Sequence, residues 1–149
     1  FNTNHGFNNP PGSRWFNECL LSKFITFARC SRTKNIEYCN MSFDKLIEKI
    51  TPDTLVYADP PYRSTLGVYN DGKRGFEGWT INHEHNLCMF LDKINERGSR
   101  FMLSYVLKVN DFYNKEIATW AANNNYNVID IEIPQGRYNN RKEVLITNY

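Results

Sequence analysis

Asp59, Pro60, Pro61 and Tyr62 follow directly on the apolar run Leu55-Val56-Tyr57-Ala58. The Asp59 carboxylate and the Pro60 carbonyl are both acceptors, and together they can take the two hydrogens of a planar –NH2 group. Tyr62 adds a face on which a flat ring stacks. A nucleobase with an exocyclic amine meets both demands. Its nitrogen is a poor nucleophile while the lone pair is delocalised into the ring. Two acceptors drawing on the hydrogens push that nitrogen toward a pyramidal shape and localise the pair. A Pro-Pro pair alone is more often a plain turn with a capping Asp and a core Tyr. The whole tetrapeptide at the end of an apolar strand points instead to amine chemistry.

The prolines explain how such a site is held. Leu55, Val56 and Tyr57 read as a short buried strand. Pro60 and Pro61 stop it, because neither offers an N–H to a sheet and each fixes φ and keeps the preceding residue extended. Asp59 and Tyr62 therefore sit on a stiff support just past the strand's C-terminal end, the edge at which open α/β sheets bind ligands. Downstream, a helix is predicted over residues 83–97, capped by Thr80 or Asn82 with Glu84 in its first turn, and ended by Gly98. Leu87, Phe90, Leu91 and Ile94 form its inward stripe. A strand over 100–105 follows, then a helix over 110–123 with Phe112, Tyr113, Ile117 and Trp120 inward. Strands over 126–133 and 143–149 are joined by the basic loop 134–142, so the last strand should run antiparallel. Upstream, helical spacing of Leu20, Leu21, Phe24, Ile25, Phe27 and Ala28 predicts a helix over 17–29. A short strand over 36–39 and a helix over 42–49, capped by Ser42, come next.

Composition narrows the class. The chain has 149 residues, enough for one domain with a real core. Hydrophobic residues at 41% and charged residues at 23% are ordinary for a soluble globular protein. A net charge of +2 gives no argument for nucleic-acid binding by itself. Nine Tyr and ten Phe suit base stacking and a core equally well. Cys19, Cys30, Cys39 and Cys88 make no CxxC pair and no metal-ligand spacing, so they read as reduced and buried in a cytosolic protein. His83 and His85, two apart on a helix, share no face and make a poor metal pair; no metal site is expected. No apolar run approaches the roughly 20 residues of a membrane span, and no signal peptide is visible.

Asp59-Pro60-Pro61-Tyr62 resembles the catalytic motif of amino-methylating DNA methyltransferases that use S-adenosylmethionine, and its Asp form points to adenine. The chain is similar to the Dam-like adenine-specific enzymes of bacteria and phages along most of its length. Phe1-Asn2 and Phe7-Asn8-Asn9-Pro10-Pro11-Gly12 match the end of that family's target-recognition region. Asn4 stands where the family pattern has a guanine-reading Arg, a departure that bears on which site is read. Trp79-Thr80 matches the family's Phe/Trp-Thr pair after a loop, here 63–79, which reads as a lid over the DNA strand. The ending Arg141-Lys142-Glu143-Val144-Leu145-Ile146-Thr147-Asn148-Tyr149 resembles the family's C-terminal motif. No cysteine follows a proline, so the Pro-Cys nucleophile of cytosine carbon methylation is absent.

The resemblance implies an α/β fold: part of a Rossmann-like S-adenosylmethionine-dependent methyltransferase, with a mostly parallel sheet, helices on both faces and an antiparallel last strand. Residues 1–16 are expected to close the target-recognition region and 17–149 to form the catalytic part. It implies Asp59, Pro60, Pro61 and Tyr62 as catalytic residues, and Asn40, Phe43 and Asp59 as contacts to the cofactor, S-adenosylmethionine. Ser104, at the end of the next strand, would line the site. Asn2, Asn4, Asn8 and Pro10 would meet base edges, while Arg137, Asn139, Arg141 and Lys142 would meet the backbone of double-stranded DNA. The family's aromatic-x-Gly-x-Gly cofactor stretch does not occur in the chain. With Phe1 as the first residue, the expectation is the catalytic half of a longer bacterial or phage enzyme of a restriction-modification type, working in the cytoplasm. The alternative is a catalytically silent DNA-binding or assembly fragment that needs a partner chain for cofactor.

Overall fold

The computed structural model describes residues 16–63, 79–131 and 140–149, arranged in two compact units, residues 1–40 and 41–149. In the first unit, α1 (Glu18–Thr33) starts at Asn17, whose side chain accepts a hydrogen bond from the Leu20 amide at 2.9 Å. The helix runs a turn beyond the expected residue 29. Its apolar side chains Leu20, Leu21, Phe24, Ile25 and Phe27 are all exposed. The strand expected over 36–39 is absent; this stretch carries neither helix nor strand. Three cysteines expected to be buried, Cys19, Cys30 and Cys39, are exposed, and only Cys88 is enclosed. Burial pushes the Cys88 thiol up to about 12, so it packs as a small inert hydrophobe.

The second unit is a sheet with helices against it. A 3₁₀ helix (Phe43–Lys49) leads into β1 (Leu55–Ala58). Then come α2 (Ile81–Glu96), β2 (Arg100–Val109), β3 (Phe112–Tyr113), α3 (Lys115–Asn123), β4 (Asn127–Ile131) and β5 (Arg141–Thr147). The strand order is β1-β2-β5-β4, with β3 paired to the end of β2. β1 and β2 are parallel, while β5 is antiparallel to both β2 and β4. β1, β2 and β4 thus point the same way. Since β5 lies between β2 and β4, most neighbouring pairs are nevertheless antiparallel, which corrects the mostly parallel sheet expected.

Alternation sorts the sheet into two faces. Phe101, Leu103 and Tyr105 of β2 and Val144 and Ile146 of β5 are buried on one face. There they share a core with Leu87, Leu91 and Ile94 of α2 and with Ile117 and Ala121 of α3. Leu55, Tyr57, Ile129 and Ile131 lie on the other face and are exposed. Within the second unit α2 and α3 pack on one face, and they touch each other there. Asp92 binds them together, its Oδ1 accepting from Trp120 Nε1 and from Tyr126 Oη, both at 2.9 Å.

Two boundaries differ from expectation for local reasons. β2 runs on to Val109, then Asn110 takes φ 51° and turns the chain back, so Phe112 pairs with Val109. Phe112 and Tyr113 are consequently exposed strand residues, not the inward face of a helix. The helix starts later, where the Asn114 side chain accepts from the Ile117 amide at 3.1 Å. At the end of α2, Gly98 sits at φ 73°, a left-handed position that glycine takes without penalty. Asn148, just past β5, accepts from the Phe101 amide at 2.8 Å and donates to the Ser99 carbonyl at 2.9 Å, fixing the start of β2.

Leu103 is fully enclosed between α2 and the sheet. Leu103→Ala should lower unfolding free energy by about 3 kcal/mol, the usual cost of emptying a rigid core position. Urea denaturation followed by tryptophan fluorescence measures it, and an unchanged midpoint would contradict this packing.

Candidate active site

β1 delivers the site. Its ladder to β2 ends at Ala58, and Asp59 emerges exposed where Pro60 and Pro61 can add no further donor. Tyr62 turns back and its hydroxyl donates to Asp59 Oδ1 at 2.6 Å. The two motif ends are therefore tied across the proline corner. Burial, and then the bond to Asp59, push the Tyr62 hydroxyl up to about 12; Ser104, which also hydrogen-bonds it, pulls the other way. The Tyr62 ring meets the Tyr105 ring edge-on, with centroids 5.4 Å apart and planes at 75°. The Arg141 guanidinium lies 5.9 Å from the Tyr62 ring centroid.

Beside the corner is a cavity of about 460 Å³. Asp59, Pro60 and Pro61 form one wall, and Phe43, Trp79 and Phe90 form an aromatic one. Phe43 packs against Phe90 at 5.3 Å edge-to-face and against Trp79 at 6.5 Å, while Trp79 stacks on His83 at 5.4 Å. The size and the aromatic lining suit a flat heterocycle. Trp79 Nε1 is buried and has no hydrogen-bond partner among the described residues, a donor left over in an otherwise apolar wall. Thr80 opens α2 next to it, its amide donating to His83 Nδ1 at 3.1 Å.

Directly after the motif, Arg63 turns into the protein. Its Nε lies 3.0 Å from Glu84 Oε2, close enough to pair charges but not lined up as a hydrogen bond. A second nitrogen donates to Glu116 Oε2 at 2.8 Å, and the guanidinium sits 5.4 Å from the Phe112 ring centroid. Glu84, in the first turn of α2 as expected, is fully buried. Its Oε1 accepts from the Tyr105 hydroxyl and from Asn114 Nδ2, the latter at 2.7 Å. Burial first and Glu84 second push the Tyr105 hydroxyl far above its ordinary value.

The structure brings Asp59, Pro60, Pro61, Tyr62, Phe43 and Ser104 into one neighbourhood. Arg141, expected on the DNA backbone, is half-buried, paired with Glu143 and placed over Tyr62. Lys142 is more exposed and pairs with Asp130 at 2.9 Å. Asn40 is exposed at the end of the first unit. Asn2, Asn4, Asn8, Pro10, Arg137 and Asn139 fall outside the described residues, as do most of the loop expected over 63–79 and that over 134–142. No group of three His, Cys, Asp or Glu side chains is close enough to hold a metal among the described residues. No described helix is long and apolar enough to cross a membrane. Arg63, Glu84, Tyr105 and Asn114 were missed. The signal for Glu84 was a charged residue on the apolar stripe of α2, at the spacing of Leu87, Cys88 and Leu91.

Comparison with known proteins gives the site a setting. The family model of the D12 class N6 adenine-specific DNA methyltransferases matches residues 1–140. Modification methylase StsI of Streptococcus sanguinis is 35% identical over 158 residues, and type II methyltransferase M.FokI of Planomicrobium okeanokoites is 34% identical over 156. Modification methylase LlaI of Lactococcus lactis subsp. lactis is 35% identical over 152 residues. Each alignment takes in 100% of this chain but only 24% of the relative, so the chain spans about a quarter of the length of the relatives it matches. A match over nearly every residue, the Asp59–Tyr62 corner included, leaves one assignment: the chain belongs to the D12 class N6 adenine-specific DNA methyltransferase family.

Proposed function

We propose that the protein methylates the exocyclic amine of an adenine in double-stranded DNA. The observation that carries this reading is the Asp59 carboxylate, exposed beyond the end of β1, held by Tyr62 and forming the wall of an aromatic cavity. A purine amine is out of reach inside a base stack, so the target adenine is turned out of the duplex to meet it. The adenine lies against the Tyr62 ring, and its amine donates to Asp59 and to the Pro60 carbonyl. One Asp59 oxygen is already engaged by the Tyr62 hydroxyl, so the other receives the amine. Drawing both hydrogens toward acceptors localises the nitrogen lone pair, and the proline corner keeps those acceptors from drifting. Asp59 is also placed to take the proton that the nitrogen sheds once its new bond to carbon has formed.

S-adenosylmethionine supplies the methyl group, activated by a neighbouring sulfonium. Phe43 and Asp59 would hold part of it here, and the aromatic wall with its spare Trp79 donor fits that use. Asn40 is a further proposed contact. The strand order β1-β2-β5-β4 with an antiparallel β5 supports reading the second unit as part of a Rossmann-like methyltransferase sheet. Asn2, Asn4, Asn8 and Pro10 are proposed to read bases; Arg137, Asn139 and Lys142, with Arg141 beside them, are proposed to set position on the phosphates. Two of the named relatives are modification methylases and the third a type II methyltransferase, so marking of DNA in a bacterial or phage restriction-modification setting is the proposed role.

A second reading rests on the missing aromatic-x-Gly-x-Gly stretch and on the quarter-length coverage of the relatives. On its own the chain would then be a DNA-binding or assembly piece that gains cofactor from another segment. Equilibrium binding of labelled S-adenosylmethionine separates the two: binding by this chain alone favours the first.

Asp59→Ala should reduce labelled-methyl transfer by about 10³-fold or more, the scale on which preorganised groups act. Activity near that of the parent would sink the role given to this acid. Burial of the Tyr62 hydroxyl, with its bond to Asp59 second, also predicts a pH effect. The Tyr62 hydroxyl sits at about 12 in the folded protein against an ordinary 10. Its contribution to stability is whole below the unfolded value and is lost as pH climbs through the window between the two. Stability should therefore fall over that alkaline range, and Tyr62→Phe should flatten the fall. Urea unfolding at either end of the window checks it; equal falls in both proteins would show that the Tyr62 hydroxyl carries none of the effect.

A further inference from the structure

We infer that Arg63 and Glu84 form a positioning clamp that sets the Tyr62 ring for its target base. This rests on the adenine-methylation reading and goes beyond it, because neither residue touches the acceptors of the motif. The case starts with Arg63, the residue bonded to Tyr62. Its side chain runs inward and is pinned at three places: Glu84 of α2 at 3.0 Å, Glu116 of α3 at 2.8 Å, and the Phe112 ring of β3 at 5.4 Å. One side chain thereby anchors the exit of the proline corner to two helices and the β2–β3 hairpin.

Glu84 closes the circuit from the other side. It is fully buried, and its second oxygen accepts from Tyr105, whose ring meets Tyr62 edge-on at 5.4 Å. The same carboxylate thus holds both the chain neighbour and the ring neighbour of Tyr62. Asn114 also donates to it and in turn caps α3 through the Ile117 amide. A buried carboxylate deprived of its cation is strongly unfavourable, so Arg63 has little freedom to leave. The restraint on Arg63 passes directly to the backbone of Tyr62. The aromatic face offered to a base is then fixed from both ends, and errors of about 1 Å at such a face can cost on the order of 10²-fold in rate.

The test uses the protein as its own gene encodes it, with duplex DNA and labelled cofactor. Arg63→Met leaves the Glu84 charge uncompensated and should lower both the melting temperature and kcat. The double variant Arg63→Met with Glu84→Gln has no charge left to bury, while Gln still accepts from Tyr105. It should recover most of the melting temperature, yet kcat should stay down by about 30-fold or more with KM for DNA within about 3-fold. Arg63→Lys keeps the charge but loses the two-pronged fork, and its kcat should lie between those of the parent and Arg63→Met. A double variant whose kcat returns to within about 3-fold of the parent as its melting temperature recovers would show a merely structural role and overturn the clamp. So would Arg63→Lys turning over as fast as the parent. Parent protein that methylates no adenine would instead overturn the functional reading and the clamp with it, so the two failures are told apart.

Discussion

A carboxylate kept out of water is the constraint on which the second unit depends. Glu84 is enclosed by α2, β2, α3 and the segment leaving the proline corner. An enclosed charge needs a cation and donors in good geometry, and each one here comes from a different element. Meeting that need fixes how the elements lie: α2 against β2 through Tyr105, α3 against both through Asn114, and the corner against all three through Arg63. Apolar packing of Leu91, Ile94, Leu103 and Ile117 supplies the bulk of the driving force. It is non-directional, however, and tolerates sliding. The hydrogen bonds around Glu84 do not, which makes them the part of the core that specifies a single arrangement.

The proline corner works by the same logic of removed alternatives. A strand normally continues or turns according to which hydrogen bonds it can make. Two consecutive residues without an N–H leave β1 no ladder to continue, and the chain departs from the sheet carrying Asp59. The Tyr62 hydroxyl then closes the corner at 2.6 Å, so a four-residue stretch is braced covalently by its rings and non-covalently by its ends. Rigidity at this point comes from local chemistry, while the direction in which the corner faces comes from distant residues.

That division explains what could be read in the sequence. The corner, Thr80 at the start of α2, Gly98 after its end and the reversed last strand are written in residues close together along the chain, and they are where expected. Phe112 and Tyr113 were misread because apolar residues near a polar turn fit a helix face and a strand end alike; Asn110 at positive φ decided for the strand. The expectation of helices on both faces came from the resemblance, not from any spacing; within the second unit α2 and α3 lie on one face. The sequence places Glu84 in the first turn of a helix but does not show its burial or its partner, since Arg63 is 21 positions away and is brought to it only by the finished fold. Charges that pair through space leave no periodic trace. The base-reading and phosphate residues proposed at 2–10, 137 and 139 have no described placement.

The middle position of β5 has a consequence for how the chain is made. β2 leaves the ribosome before its β5 partner, so the edge on which β5 pairs starts out open. The strand that belongs on that edge is Arg141–Thr147, translated only after α3 and β4. Until those residues appear, β4 has no seat either, because among the described strands it pairs only with β5. The nascent protein must therefore wait with that β2 edge uncovered, a window in which pairing with another chain competes with folding. Assembly of this sheet is gated by synthesis of a strand that arrives late and goes in the middle.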